Sequence, residues 1–311
     1  MARPTHSQRD RGDEAGHVAT LHLPETQSIE QAGYFDVPGA HLYTVLHEVK
    51  DPAARVLLVG PFASERHFSY HPWVRWARYL AAKGVEVLRY DYRGVGESTG
   101  VFEEMTFEAW REDVQLLSAW FGSRSAGVPL LLHGLELGAI LAGKGFAEGI
   151  GDGLLLWSPP VNANKALRSA LLRWAGLEQL YESRENRKTA AAYIRELEGG
   201  DLEDGGSIEV AGYCWSSGFW QSSFDFELPQ AMEDERIATN AYGRPVKVVK
   251  LGKEAAPLVK PFLGYNEVKD LSWLYSDTFD WIASALGLTA TLGPAAAPGL
   301  VATGGHIEDR N

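Results

Sequence analysis

A chain of 311 residues that is 45% hydrophobic can bury one large α/β core with an inserted subdomain, without needing two unrelated domains. A net charge of −12 and a pI near 5.3 exclude the basic footprint that phosphate backbones require, so no nucleic-acid partner is expected. The lone Cys214 excludes an intramolecular disulfide, and with no run of eighteen apolar residues the expectation is a cytoplasmic protein without a membrane span.

Residues 1–28 are polar and aperiodic and 291–311 are rich in Gly, Ala and Pro, so both are read as disordered tails. Short alternating runs on either side of Pro38-Gly39 predict an antiparallel hairpin over residues 29–49. Unbroken apolar runs then alternate with helix-period segments, the pattern of parallel strands buried on both faces. The strands are expected at 56–60, 85–92, 129–134 and 153–158. Between them, Trp73, Trp76 and Leu80 mark one helix, and Phe107, Trp110, Val114, Leu117 and Phe121 mark another behind Thr106 as N-cap. A third helix opens within LELGAILAGKGF, directly after a strand. Beyond Pro159-Pro160 the alternation stops for about eighty residues. Residues 161–244 are therefore read as a cap inserted after the sixth strand, and 29–160 with 245–290 as the core, in which 245–252 rejoins the sheet and LSWLYSDTFDWIASAL closes it. The fold class is α/β, a mostly parallel sheet with helices on both faces.

The sharp turn at Gly134-Leu135-Glu136-Leu137-Gly138 has the spacing of a nucleophile elbow. Such an elbow needs small residues two before and two after its centre, because the strained strand-to-helix turn brings backbone against backbone. Gly134 and Gly138 fill those places, yet the centre is Glu136 and not serine. Upstream, RYDYRGVGESTG holds Asp91, Arg93, Gly94, Gly96 and Ser98. A glycine pair after a strand can signal a dinucleotide site, but that fingerprint leads straight into a helix, whereas here the next helix waits until about Thr106. The stretch shapes a loop. No His or Cys pair has metal-ligand spacing, so neither metal nor cofactor is implied.

With PFASERH, LHGLELGAILA, LLLWSPPVNANKALRSALLRWA, IEVAGYCWSSGF and PFLGYNEVKDLSWL, the chain resembles α/β hydrolases of the serine aminopeptidase-like kind over about 54–283. Within them it is most similar to the second type of exosortase-A-associated hydrolase. The resemblance implies the α/β-hydrolase fold and a hydrolase-like protein found beside exopolysaccharide and protein-sorting genes, in a family whose members often lack the elbow serine. It leaves the substrate open.

Serine hydrolysis needs a hydroxyl, then an acid, then a histidine in chain order. The nine histidines are His6, His17, His22, His41, His47, His67, His71, His133 and His306, so none lies between His133 and the C-terminal tail. If the family pattern aligns GKEAAPLV after the seventh strand, Ala256 takes the acid's place, and Gly264, Tyr265 or Asn266 that of the histidine. Three readings of Glu136 stand. As a nucleophile it would need a base, for which His67 on the loop after the third strand is the candidate. As a first-turn carboxylate it is favoured by the helix dipole, which makes it a weak base. As a plug it would fold back on the oxyanion-hole-like amides of Phe62 and Leu137.

In the cap, Trp215, Phe219 and Trp220, with Phe224 and Phe226, are read either as packing of cap on sheet or as an aromatic platform for a sugar or acyl group. Lys165, Arg168 and Arg173 are read as a solvated face. Two functions follow: a non-catalytic pseudo-hydrolase holding a small acyl, ester or sugar-containing ligand or a partner, or an ester or acyl hydrolase with an atypical site built on Glu136.

Overall fold

The computed structural model describes residues 16–23, 28–181, 183, 187–199, 206–252 and 270–288. Its sheet has eight strands: β1 (Gly16–Leu23), β2 (Ser28–Val37), β3 (Ala40–Glu48), β4 (Ala54–Val59), β5 (Val85–Tyr90), β6 (Leu130–Leu135), β7 (Gly153–Trp157) and, after the insertion, β10 (Val246–Val249), in the order β1-β2-β3-β5-β4-β6-β7-β10. The first three are antiparallel, and everything from β5 onward is parallel. Helices α1 (Ala63–Ala82), α2 (Phe107–Ser123) and α3 (Leu137–Ala147) are the crossovers.

The predicted hairpin forms as β2 and β3, with Gly39 at φ 80 in the turn. The polar N-terminal segment corrects the sequence reading: Gly16–Leu23 is not a tail but an edge strand on β2. The segment lacks the apolar periodicity that announces a strand, and backbone pairing with β2 recruits it.

The parallel strands are apolar throughout because both faces are covered. Val56, Leu58, Leu131, Leu135, Leu155 and Trp157 meet α1 and the closing helix α8 (Ser272–Ala285) on one side. The alternate residues Leu57, Val59, Leu132, Leu154 and Leu156 meet α2 and α3 on the other. Trp73, Trp76 and Leu80 of α1, and Phe107, Trp110, Val114, Leu117 and Phe121 of α2, are all buried as their spacing requires. Thr106 caps α2, its hydroxyl accepting from the Ala109 amide at 3.1 Å.

Between β7 and β10 the chain forms α4 (Ala163–Tyr181), α5 (Ala190–Leu197), the hairpin β8 (Ser207–Val210) and β9 (Tyr213–Ser216), α6 (Ser217–Ser222) and α7 (Glu235–Tyr242). With β1 counted, this insertion follows the seventh strand. Its buried side chains join the α2–α3 core in one cluster. Among the described residues, no helix is long and apolar enough to cross a membrane. The expected C-terminal tail and the segment holding Ala256, Gly264, Tyr265 and Asn266 lie outside the described residues.

Candidate functional site

The turn between β6 and α3 is an elbow in its backbone. Glu136 has φ 51 and ψ −126, a conformation that costs a residue with a Cβ about 1–3 kcal/mol. Its amide donates to the Trp157 carbonyl at 3.0 Å, extending the β6–β7 ladder, and its carbonyl accepts from Ala139 at 2.9 Å. Both glycines are required by contact. A Cβ on Gly134 would lie 2.3 Å from the Ala139 Cα, and one on Gly138 would lie 2.2 Å from the Gly60 carbonyl oxygen. The α3 N-terminus is thus pressed onto the end of β4, where Phe62 leads into α1.

Phe62 and Leu137 therefore stand at the C-terminal ends of neighbouring strands, β4 and β6, as an oxyanion hole demands of its donors. Glu136 is half-buried and its side chain makes no capping hydrogen bond to the first turn of α3. The Phe62 ring is buried against Trp110 (4.5 Å between centroids), Phe107 (5.6 Å) and Phe219 of the insertion (6.0 Å).

His133, one residue before the first elbow glycine, is fully buried on the α1–α8 face of β6. Its Nδ1 accepts from the Trp76 indole N–H at 3.1 Å, which places the ring proton on Nε2, and Nε2 has no partner. Trp73, Trp76 and Trp157 surround the ring at 5.0, 6.0 and 4.6 Å. Burial in this apolar cage holds its pKa well below the ordinary value for histidine. His133 stays neutral with its one basic nitrogen occupied, so it is no general base for residue 136. His67 falls in the second turn of α1, and its side chain lies outside the described residues.

The Asp91–Ser98 turn follows β5, with β4 between it and the strand that carries the elbow, and is built from polar contacts. Asp91 takes Arg66 Nη2 at 2.6 Å and Nε at 3.1 Å, and the Glu97 amide at 3.0 Å, while Ser98 donates to the Asp91 carbonyl at 2.6 Å. Gly94 and Gly96 have φ 73 and 61, and a Cβ on Gly96 would meet the Asp91 carboxylate. Arg93 pairs with fully buried Asp113 on α2. Burial pushes the Asp113 carboxyl up, and Arg93 opposes it. These side chains shape the loop, in line with the sequence expectation.

The aromatic cap residues are core, save Phe224, which is exposed. Phe219 is fully buried, stacked on Phe107 at 5.7 Å and edge-on to Trp215 at 5.4 Å. Trp215 and Trp220 are buried as well, which supports packing over an open platform. The α4 basic residues keep to a solvated face, Lys165 exposed, but two of them also carry ion pairs there. Arg173 reaches across to pair with Glu65 in the first turn of α1, and Arg168 binds Asn164 and Glu198 while lying over the Trp220 ring at 5.1 Å. Lone surface arginines and pairing arginines look alike in sequence, because their partners are 30 and 108 residues away.

Residues 43–191 match the family model "Serine aminopeptidase, S33", somewhat under half of the chain. No curated protein sequence matches. Among solved structures, an esterase of Pyrococcus furiosus shares 14% identity over 90% of this chain and 100% of its own, with a TM-score of 0.52. The hydrolase GrgF of a Penicillium species shares 13% over 83% and 99%, at 0.52. Est1E of Butyrivibrio proteoclasticus, bound to ferulic acid, shares 15% over 82% and 99%, at 0.50. At such identities these likenesses bear on architecture alone, and with the sheet order and elbow above they make this chain an α/β-hydrolase fold.

Proposed function

We propose that this α/β-hydrolase-fold chain is a non-catalytic pseudo-hydrolase that uses the C-terminal edge of its sheet to hold a small acyl, ester or sugar-containing ligand. The observation that carries the reading is the pairing of a retained elbow with an unusable imidazole. Glu136 sits in the strained position, while His133, three residues earlier in the chain, is locked to Trp76 inside a tryptophan cage. His133 therefore cannot take and return the proton that ester turnover at residue 136, by a serine or a carboxylate, requires. The similarity to the exosortase-A-associated type belongs to this proposal and assigns the ligand to envelope polysaccharide or sorting chemistry in the cytoplasm.

Purified protein is assayed with a panel of short and long acyl esters beside Glu136→Ala and Glu136→Ser. The expected result is no turnover above background for any of the three. Turnover in the wild type that vanishes in Glu136→Ala overturns the proposal. One observation favours that second reading, an ester hydrolase built on Glu136: the chain keeps a costly positive φ at a residue with no serine to present. In that case His67 is the base, and His67→Ala removes the activity as well.

A further inference from the structure

Helix α4 has two faces, and the core covers one of them. Leu167, Ala170, Leu171 and Ala175 are buried in the α2–α3 cluster. On the other side Lys165, Ser169, Leu172, Gly176 and Leu180 follow one another at spacings of three and four, and all five are exposed. Leu172 and Leu180, at 64% and 65%, are the most exposed large hydrophobic side chains among the described residues. They lie about 12 Å apart along the helix axis, with Gly176 midway between them.

Nothing described in the chain asks for glycine at 176. Its φ is not in the left-handed region, a Cβ there would meet no atom within 4 Å, and alanine would make the better helix interior. What glycine offers at an exposed position is close approach for a second helix laid across it. The run from Leu172 through Gly176 to Leu180 has the same spacing in both directions. A two-fold axis at Gly176 therefore sets Leu172 of one copy beside Leu180 of the other, twice over, as an isologous contact demands. Charge agrees with this. Copies of a chain with net charge −12 repel one another, but this face carries no carboxylate. The arginines at its borders are paired within their own chain, Arg173 with Glu65 and Arg168 with Glu198.

We propose that the exposed face of α4 is the contact by which two copies of this chain associate, their helices crossing antiparallel at Gly176. The inference is independent of what the elbow binds. Antiparallel crossing opposes the two helix dipoles favourably, whereas a parallel one would align them. An anionic bilayer or an acidic peptide would require free cations on this face. Among the described residues Lys165 is the one basic group of the face without an acidic partner, and it stands about 16 Å along the axis from Gly176. A single helix crossing belongs to the small class of interfaces, so the dimer is weak, with a Kd on the order of 10–100 µM.

The test is sedimentation equilibrium of the full chain from about 1 µM to about 1 mM, with Leu172→Glu and Leu180→Lys run singly and mixed. The wild-type mass should rise from 34.1 kDa toward twice that value. Each variant alone should associate about tenfold or more weakly, because it sets an unpaired charge against a leucine. At about 1 µM, where the chain is monomeric, both should melt at the wild-type temperature, since neither leucine is buried. Mixed one to one, the variants should recover to within about threefold of wild-type affinity: the new carboxylate meets the new ammonium in one contact, and two leucines meet in the other. A wild type that stays monomeric throughout, or a dimer that neither variant weakens, overturns the inference. Variants that fail to recover when mixed overturn the antiparallel crossing. Wild-type chain that pellets with phosphatidylglycerol vesicles while still monomeric, and no longer does so as Leu172→Glu, would assign the face to a bilayer and overturn the inference too.

Discussion

Two turns lie at the C-terminal edge of the sheet, after β5 and β6 with β4 between them, and they are held by opposite means. The elbow at Gly134–Gly138 is made of backbone against backbone, with Gly138 seated on the Gly60 carbonyl and Glu136 forced to φ 51. The Asp91–Ser98 turn is made of side-chain bonds, from Arg66, Ser98 and the Glu97 amide onto Asp91. A turn of the first kind depends on what is missing from its glycines and not on a hydroxyl at its apex. This is how an elbow can persist with glutamate in place of serine. A turn of the second kind survives only while each polar partner remains.

The sharpest way to break this contrast is Gly138→Ala. Its methyl would overlap two carbonyl oxygens, so a loss of about 4 kcal/mol or more, or failure to fold, is expected in denaturant unfolding. A loss under about 1 kcal/mol would mean that the elbow relaxes freely. Asp91→Ala should cost less, about 2–3 kcal/mol, by stranding Arg66 and the Glu97 amide. Glu97→Ala, which leaves that amide in place, should be close to neutral.

At the apex, the comparison that isolates backbone strain is Glu136→Gly against Glu136→Ala. Glycine should be the more stable by roughly 1–2 kcal/mol, since both lack the carboxylate and only alanine keeps the Cβ at positive φ. Equal stabilities would show that the strain is not there.

The smallest effect is a pH slope. His133 is neutral in the fold with a depressed pKa, so the unfolded chain takes up its proton first as pH falls below the ordinary 6.5. His133 therefore contributes stability that is whole above that pH and is lost below it, by up to about 1.4 kcal/mol per pH unit. His133→Gln, which keeps an acceptor within reach of Trp76, should remove that share of the slope between pH 6.5 and 5 while His47 retains its own. An unchanged slope would mean that His133 is not sequestered.

Much of this was legible in the residues. The spacing of Trp73, Trp76 and Leu80, the Thr106 cap and the apolar strand runs fall where the structure puts them, because burial on two faces imposes periods that a single chain displays. The Gly134–Gly138 spacing was legible for the same local reason. Neither β1 nor the Arg173–Glu65 pair between insertion and core was, since one is recruited by backbone bonds and the other joins residues far apart in the chain.

The sequence by itself determined the fold and the glutamate at the elbow, because strand order follows from local patterning and the residue between two spaced glycines is visible by reading. Only the tertiary structure decided that His133 is caged by three tryptophans and that Arg93 is paired with the buried Asp113. Both are properties of neighbours, and a side chain's charge state is set by the burial and partners that folding brings to it, not by its place in the chain.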